Sequence, residues 1–139
     1  MIEVRQVLNF VPPRLDGDNT QTKRRYMVIS NNDNKTIEMI NISKVEGKEY
    51  KMFALGNARL KDFRPFKVPS FAKADTIYKI ENFEQLEDFI SFNGEKINEE
   101  ELEYIFLKRN EYINKKNIVK VINFTKEEFL EKNPIKIKT

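Results

Sequence analysis

The sequence contains no cysteine and no histidine. The first absence excludes disulfides and thiolate metal sites. The second removes the commonest metal ligand and the commonest acid–base side chain. Any catalysis must therefore rest on Arg, Lys, Asp, Glu, Tyr, Ser or Thr, and no metal or other cofactor is expected. No apolar run approaches the length of a membrane span, so no membrane partner is expected. The first ten residues, MIEVRQVLNF, carry an acid near the start and alternate apolar with polar positions, which predicts a strand rather than a signal peptide. A cytoplasmic protein is expected. There is no internal repeat, low-complexity tract or linker, so the 139 residues are read as one domain with a real core.

An apolar fraction of 40% and an aromatic fraction of 12%, mostly Phe, argue for a folded chain and against disorder. The net charge of +3 hides an asymmetry. Residues 1–80 carry 15 Lys and Arg against 9 Asp and Glu, whereas residues 81–139 carry 10 against 13. A basic half joined to an acidic half points to an anionic partner for the first half.

The first half has strand periodicity. Strands are expected over 2–11, 25–30, 36–43, 50–55 and 76–80, with 61–69 irregular or at an edge. In 2–11, Val7 breaks the alternation set by Val4, Leu8 and Phe10, which suggests a bulge. The run Asn31-Asn32-Asp33-Asn34 is a turn signal, because Asn and Asp tolerate left-handed backbone. In TIEMINIS, Ile37, Met39 and Asn41 face one way, and Ile40 and Ile42 the other. Short strands with tight turns suit a small, strongly bent antiparallel sheet or a partly open barrel. The second half turns helical. Asn82 is placed as the cap of a helix over 83–91, with Gln85 as its capping-box partner. Asn98 is placed as the cap of a helix over 99–116, with three glutamates in its first turn, where the helix dipole favours them. Leu102, Ile105, Phe106 and Ile113 form its apolar stripe. Ile118 to Phe124 reads as strand-like, Thr125 to Glu131 as a short helix, and the final IKIKT as loose.

Chemistry concentrates in PPRLDGDNTQTKRRYMVIS, residues 12–30. A turn-rich loop that ends in Lys23, Arg24 and Arg25 at the mouth of a strand is suited to holding an anion. Lys44, Lys48, Arg59, Lys61, Arg64 and Lys67 extend a possible phosphate track, with Phe63 and Phe66 as stacking surfaces or core.

The order of these features resembles the MazF/PemK family of toxin endoribonucleases over residues 3–115. Gly17, Gln21 and Arg25 fall where that family has its Gly-x-Glu-Gln loop and Arg-Pro. Here Tyr26 replaces the proline and the loop glutamate has no clear counterpart. MINIS ends in Ser43 where the family has an active-site hydroxyl. SFAKADTIYKIE, residues 70–81, matches a following family strand, with Thr76 in place of a glutamine. FEQLEDFISFNGEKINEEELEYIF matches the short helix, break and acidic-capped helix. Residues 117–139 have no counterpart.

The resemblance implies a β-rich α+β fold: a small antiparallel, SH3-like, partly open β barrel with C-terminal helices, of the CcdB/MazF kind. It implies cleavage of single-stranded RNA by the ribose 2′-hydroxyl, without a metal. Arg25 would stabilise the phosphorane, Ser43 would hydrogen-bond the phosphate, Asp75 would accept the proton, and Lys73 would act electrostatically. Gln21, Lys23, Arg24, Lys44 and Thr76 would contact RNA. Implied partners are single-stranded RNA, a second copy in a homodimer, and an antitoxin with an acidic flexible segment. Each residue also has a structural reading: a solvated strand-start arginine, a strand-end turn serine, a surface Lys73–Asp75 ion pair. A binder that does not cut RNA and a toxin that inhibits a host enzyme by protein contact are the competing functions.

Overall fold

One long strand with apolar side chains on both faces organises the computed structural model, which describes residues 1–13, 22–52 and 54–135. This strand, β3 (Thr36–Lys44), pairs on one side with β2 (Arg24–Asn32) and through it with β1 (Val7–Phe10), all antiparallel. On its other side it pairs with two strands in succession, β5 (Ser70–Lys73) and β6 (Thr76–Glu81). The edge strand β4 (Asn57–Arg59) pairs with β5, and β7 (Lys120–Phe124) runs parallel to β6. The result is an open, β-rich α+β fold around a seven-stranded sheet.

Alternation predicts the two cores. Leu8, Phe10, Tyr26, Val28, Ile37 and Met39 face one core, where Tyr78, Leu86 and Phe129 join them. Val7, Met27, Ile40 and Ile42 face the other, with Ala58, Phe66, Ala72 and Ile105. Val7, which breaks the alternation in sequence, is thus fully buried on the second face. The bulge expected there sits at Arg5, whose φ of 78° turns the chain so that its N–H reaches the Val28 carbonyl at 2.7 Å. The strand itself covers only Val7–Phe10.

The register changes between β5 and β6. Ile42 pairs with Ala72 and Met39 with Tyr78, so three steps along β3 face six on the other strand. The surplus bulges outward around Ala74 and Asp75, and it divides that edge between β4 and β7.

Several expected elements differ. The strand expected over 50–55 is not formed; α1 (Glu49–Met52) is a single helical turn, with Tyr50 and Leu55 exposed, and the Asn57 amide of β4 donates to the Lys51 carbonyl at 2.6 Å. The helix expected over 83–91 is a 3-10 segment, Glu84–Phe89, and Asn82 does not cap it. The Asn82 amide instead donates to the Asn34 carbonyl at 2.9 Å, tying it to the β2–β3 turn.

Helix α2 (Glu99–Asn114) is capped as expected, with Asn98 Oδ1 accepting from Glu100 N–H at 2.9 Å. Ile105 is buried, and Leu102 and Phe106 pack on the second core, but Ile113 is 46% exposed. Dipole capping does not fully explain Glu101. It is buried, and its Oε1 accepts the N–H groups of Lys61 at 3.2 Å and Asp62 at 2.9 Å. It therefore pins the irregular 61–69 segment under α2. Glu101→Ala is expected to cost about 1–3 kcal/mol in urea unfolding, because two backbone donors lose their acceptor. Glu101→Gln should cost less.

The final helix, α3 (Lys126–Lys132), carries a full capping box between Thr125 and Glu128. No helix among the described residues is long and apolar enough to cross a membrane.

Candidate anion-binding site

The hairpin β2–β3 carries a hollow of about 590 Å³ at its open end. Lys23, Arg24, Arg25, Lys44 and Lys48 line it, with Asn9, Thr22, Asn41, Ser43, Phe66, Val68 and Ser70. Among the described residues no Asp or Glu lines it. Five cations around one concavity give a positive potential that favours an anion.

Register places these groups. Arg25 pairs with Ile42, so Ser43 lies one residue further along the neighbouring strand. Pleating sends Arg25 to the second core face and Ser43 to the first, together with Arg24 and Tyr26. The hollow wraps the sheet end, so both border it from opposite faces.

Arg25 is exposed and rests on an aromatic shelf. Its guanidinium carbon lies 5.0 Å from the Phe92 ring centre and 5.7 Å from that of Phe66. The two rings meet edge to face at 5.4 Å. Such contacts hold a guanidinium in place at about 0.5–2 kcal/mol while leaving its N–H groups free for a ligand.

Phe92 reaches Arg25 from an unusual backbone. Phe92, Asn93 and Gly94 have φ of 56°, 54° and 79°. A left-handed phenylalanine is rare and costs roughly 1–2 kcal/mol. The turn is held against the N-terminal segment: Ser91 N–H donates to the Val7 carbonyl at 2.7 Å, and the Gln6 amide to the Gly94 carbonyl at 3.3 Å.

On the other face, Ser43 is buried and its hydroxyl donates to Asn41 Oδ1 at 3.0 Å. The Asn41 amide donates to the Arg25 carbonyl at 3.1 Å. The Ser43 proton is thus committed within the protein, and a phosphate would have to displace that bond to take it. Beside this pair, burial drives the Tyr26 phenol far above its usual range, with Tyr78 adding and Arg24 opposing. Tyr26 stays neutral, and its hydroxyl has no hydrogen-bond partner among the described residues.

Lys73 lies behind the hollow on β5. Burial first, then Lys51, Lys48 and Arg24, hold its ammonium below the usual range, and Asp75 opposes them. A charged Lys73 therefore costs the fold stability below its depressed pKa, and that cost fades as pH rises toward the ordinary 10.5. Lys73→Met is expected to raise the melting temperature at neutral pH, with the gain shrinking toward pH 10.5 in a series of thermal melts.

Asp75 and Thr76 are not brought to the hollow. They sit in the outward bulge, where the Thr76 hydroxyl donates to Asp75 Oδ1 at 3.1 Å and Lys120 N–H donates to the Asp75 carbonyl at 3.0 Å. The lining of the hollow includes neither Asp75 nor Thr76. Asp75 instead lies beside Gly56 and Tyr112. Gln21 and Gly17 lie outside the described residues.

Sequence reasoning missed Asn9, Asn41, Ser70 and Phe92 at this site. Asn41 had a signal, being a polar residue at an inward position of an alternating strand. Phe92 had none beyond its neighbouring Asn-Gly. Among the described residues, no group of three or more His, Cys, Asp and Glu could hold a metal ion. No family model matches the chain, and no curated protein matches it.

Proposed function

We propose that this chain is a metal-independent endoribonuclease of the MazF/PemK toxin kind, and that the hollow holds the phosphodiester at which single-stranded RNA is cut. The observation that carries this reading is the convergence of Arg25, Arg24, Lys23, Lys44 and Lys48 on one concavity without a carboxylate among its described lining. Kinship with the SH3-like, partly open barrels of that family belongs to the same proposal. Its support is the β1–β2–β3 meander followed by an acidic-capped helix.

In this reading the ribose 2′-oxygen attacks phosphorus and the 5′-oxygen leaves. The products are a 2′,3′-cyclic phosphate and a 5′-hydroxyl. Arg25 offers a planar fork to two phosphate oxygens as charge builds on the phosphorane. Lys44 and Arg24 flank it. Asp75 is given no step; the 2′-proton passes to water, and water protonates the leaving oxygen. The cytoplasm supplies the substrate. A homodimer and an acidic, flexible antitoxin segment, matched in charge to the hollow, complete the proposal.

The absence of a carboxylate among the described lining also favours a second reading, in which the hollow binds RNA without cutting it. Incubation with single-stranded RNA in excess chelator separates the two. Fragments ending in cyclic phosphate support the nuclease, and tight binding to intact RNA supports the binder. Indifference to RNA at low salt overturns both.

A further inference from the structure

Beyond the hollow, a second concavity of about 450 Å³ lies between β4, the pinned 61–69 segment and α2, lined by Arg59, Leu60, Lys61, Phe63, Pro69 and Tyr104. It too contains cations and no carboxylate among its described lining. Asp62, between Lys61 and Phe63, is occupied: Arg64 donates to its two oxygens at 2.9 and 2.7 Å. The cleft also offers two half-buried aromatic rings. Among the described residues, neither Phe63 nor Tyr104 stacks on another aromatic ring. The rings of the first core, by contrast, pack on one another throughout.

The cleft is built rather than incidental. Glu101 fixes the backbone of Lys61 and Asp62, and so the floor from which Lys61 projects. Register with Phe71 fixes Arg59 on β4. Lys108, 5.6 Å from the Tyr104 ring centre, adds a third cation at the far rim, where Glu111 partly balances it at 3.4 Å. The cleft adjoins the hollow: Val68 and Ser70 border the hollow, and Pro69 between them borders the cleft. One thickness of chain separates the two.

We propose that this cleft binds a neighbouring nucleotide of the same RNA strand, its base against Tyr104 or Phe63 and its phosphate against Arg59 and Lys61. The inference rests on the RNA reading of the hollow and extends it to a two-part footprint. A flat π face beside paired cations suits a base and its phosphate, and it tolerates any base because stacking does not read sequence.

The test compares binding of a single uridine 3′-phosphate, the shorter ligand, with that of a uridine oligomer of about ten nucleotides, the longer. The shorter fills the hollow first, where five cations stand against two. The longer reaches both sites and should bind the wild-type chain more tightly. Tyr104→Ala is expected to weaken the longer oligomer roughly tenfold and leave the shorter within about twofold. Tyr104→Phe should retain wild-type affinity. Arg59→Gln combined with Lys61→Gln should flatten the salt dependence of the longer oligomer by about 1.4 logarithmic units per decade of salt. Thermal melts of each variant confirm that it is folded. Unchanged affinity of Tyr104→Ala for the longer oligomer, with wild-type binding intact, overturns the cleft and leaves the hollow standing. Failure of the wild type to bind either ligand overturns the function on which the cleft depends.

Discussion

Arg25→Ala is expected to lower RNA cleavage by about 10²–10³-fold, the loss typical when one preorganised donor to a developing oxyanion is removed. The guanidinium sits at the mouth of the hollow on the Phe66–Phe92 shelf, so its position is set before any ligand arrives. In the proposed reaction its removal would take away a bidentate partner for the phosphorane, not only a charge. Arg25→Lys should therefore recover only a small part of the activity, because a point charge cannot hold two oxygens in one plane. Stability should change little. Arg25 is exposed, and the cation–π contacts it would lose contribute about 1 kcal/mol. Single-turnover cleavage of a short RNA, alongside a thermal melt, checks both halves. In a chain that binds without cutting, the same substitution appears as lost affinity with no cleavage in either protein.

Phe129→Ala is expected to destabilise the fold by about 3–5 kcal/mol. Phe129 comes from α3, near the end of the described chain. Yet it is fully buried, and its ring centre lies 4.9 Å from Phe10, 4.9 Å from Phe89 and 5.6 Å from Phe83. It joins β1, the 3-10 segment and α3 at one aromatic hub. The neighbouring Asn133 fastens the same helix to the end of β1: Val11 N–H donates to its Oδ1 at 2.7 Å, and its amide donates to the Val11 carbonyl at 2.8 Å. A loss of this size is a large part of the roughly 5–15 kcal/mol that holds a domain of this kind together. Urea unfolding should show a lower midpoint at an unchanged slope. A loss under about 1 kcal/mol would mean that the C-terminal segment is dispensable to the core.

Where local chemistry dictates local structure, the sequence was readable. Asn98 and the glutamates after it mark the start of α2, because cap and dipole act within one turn. The Asn31–Asn34 run marks the β2–β3 turn, and Asp33 and Asn34 do take left-handed backbone, at φ 50° and 59°. Once that hairpin is fixed, its register alone puts Arg25 and Ser43 at the same end of the sheet, on its opposite faces.

What was not readable depends on partners distant in sequence. The 50–55 segment had apolar residues suited to a strand, yet α1 caps the end of β4 instead, where the Asn57 amide donates to the Lys51 carbonyl. Asn82 had a caplike position, yet a carbonyl of the β2–β3 turn claimed its amide. Asp75 was grouped with Lys73 because two residues along a regular strand share a face. The outward bulge between β5 and β6 breaks that regularity and carries Asp75 toward Tyr112. Phe129 was illegible for the same reason: its contacts lie in elements more than 35 residues away.

The central claim is that the hollow around Arg25 is a phosphate site for single-stranded RNA. The affinity of a short RNA measured against salt concentration tests it most directly. The account predicts binding that weakens with salt, with a log–log slope of about −2 to −3.5 for three to five phosphate contacts, made shallower by about 0.7 in Arg25→Ala. Binding that ignores salt, or a slope unchanged by Arg25→Ala, would contradict it.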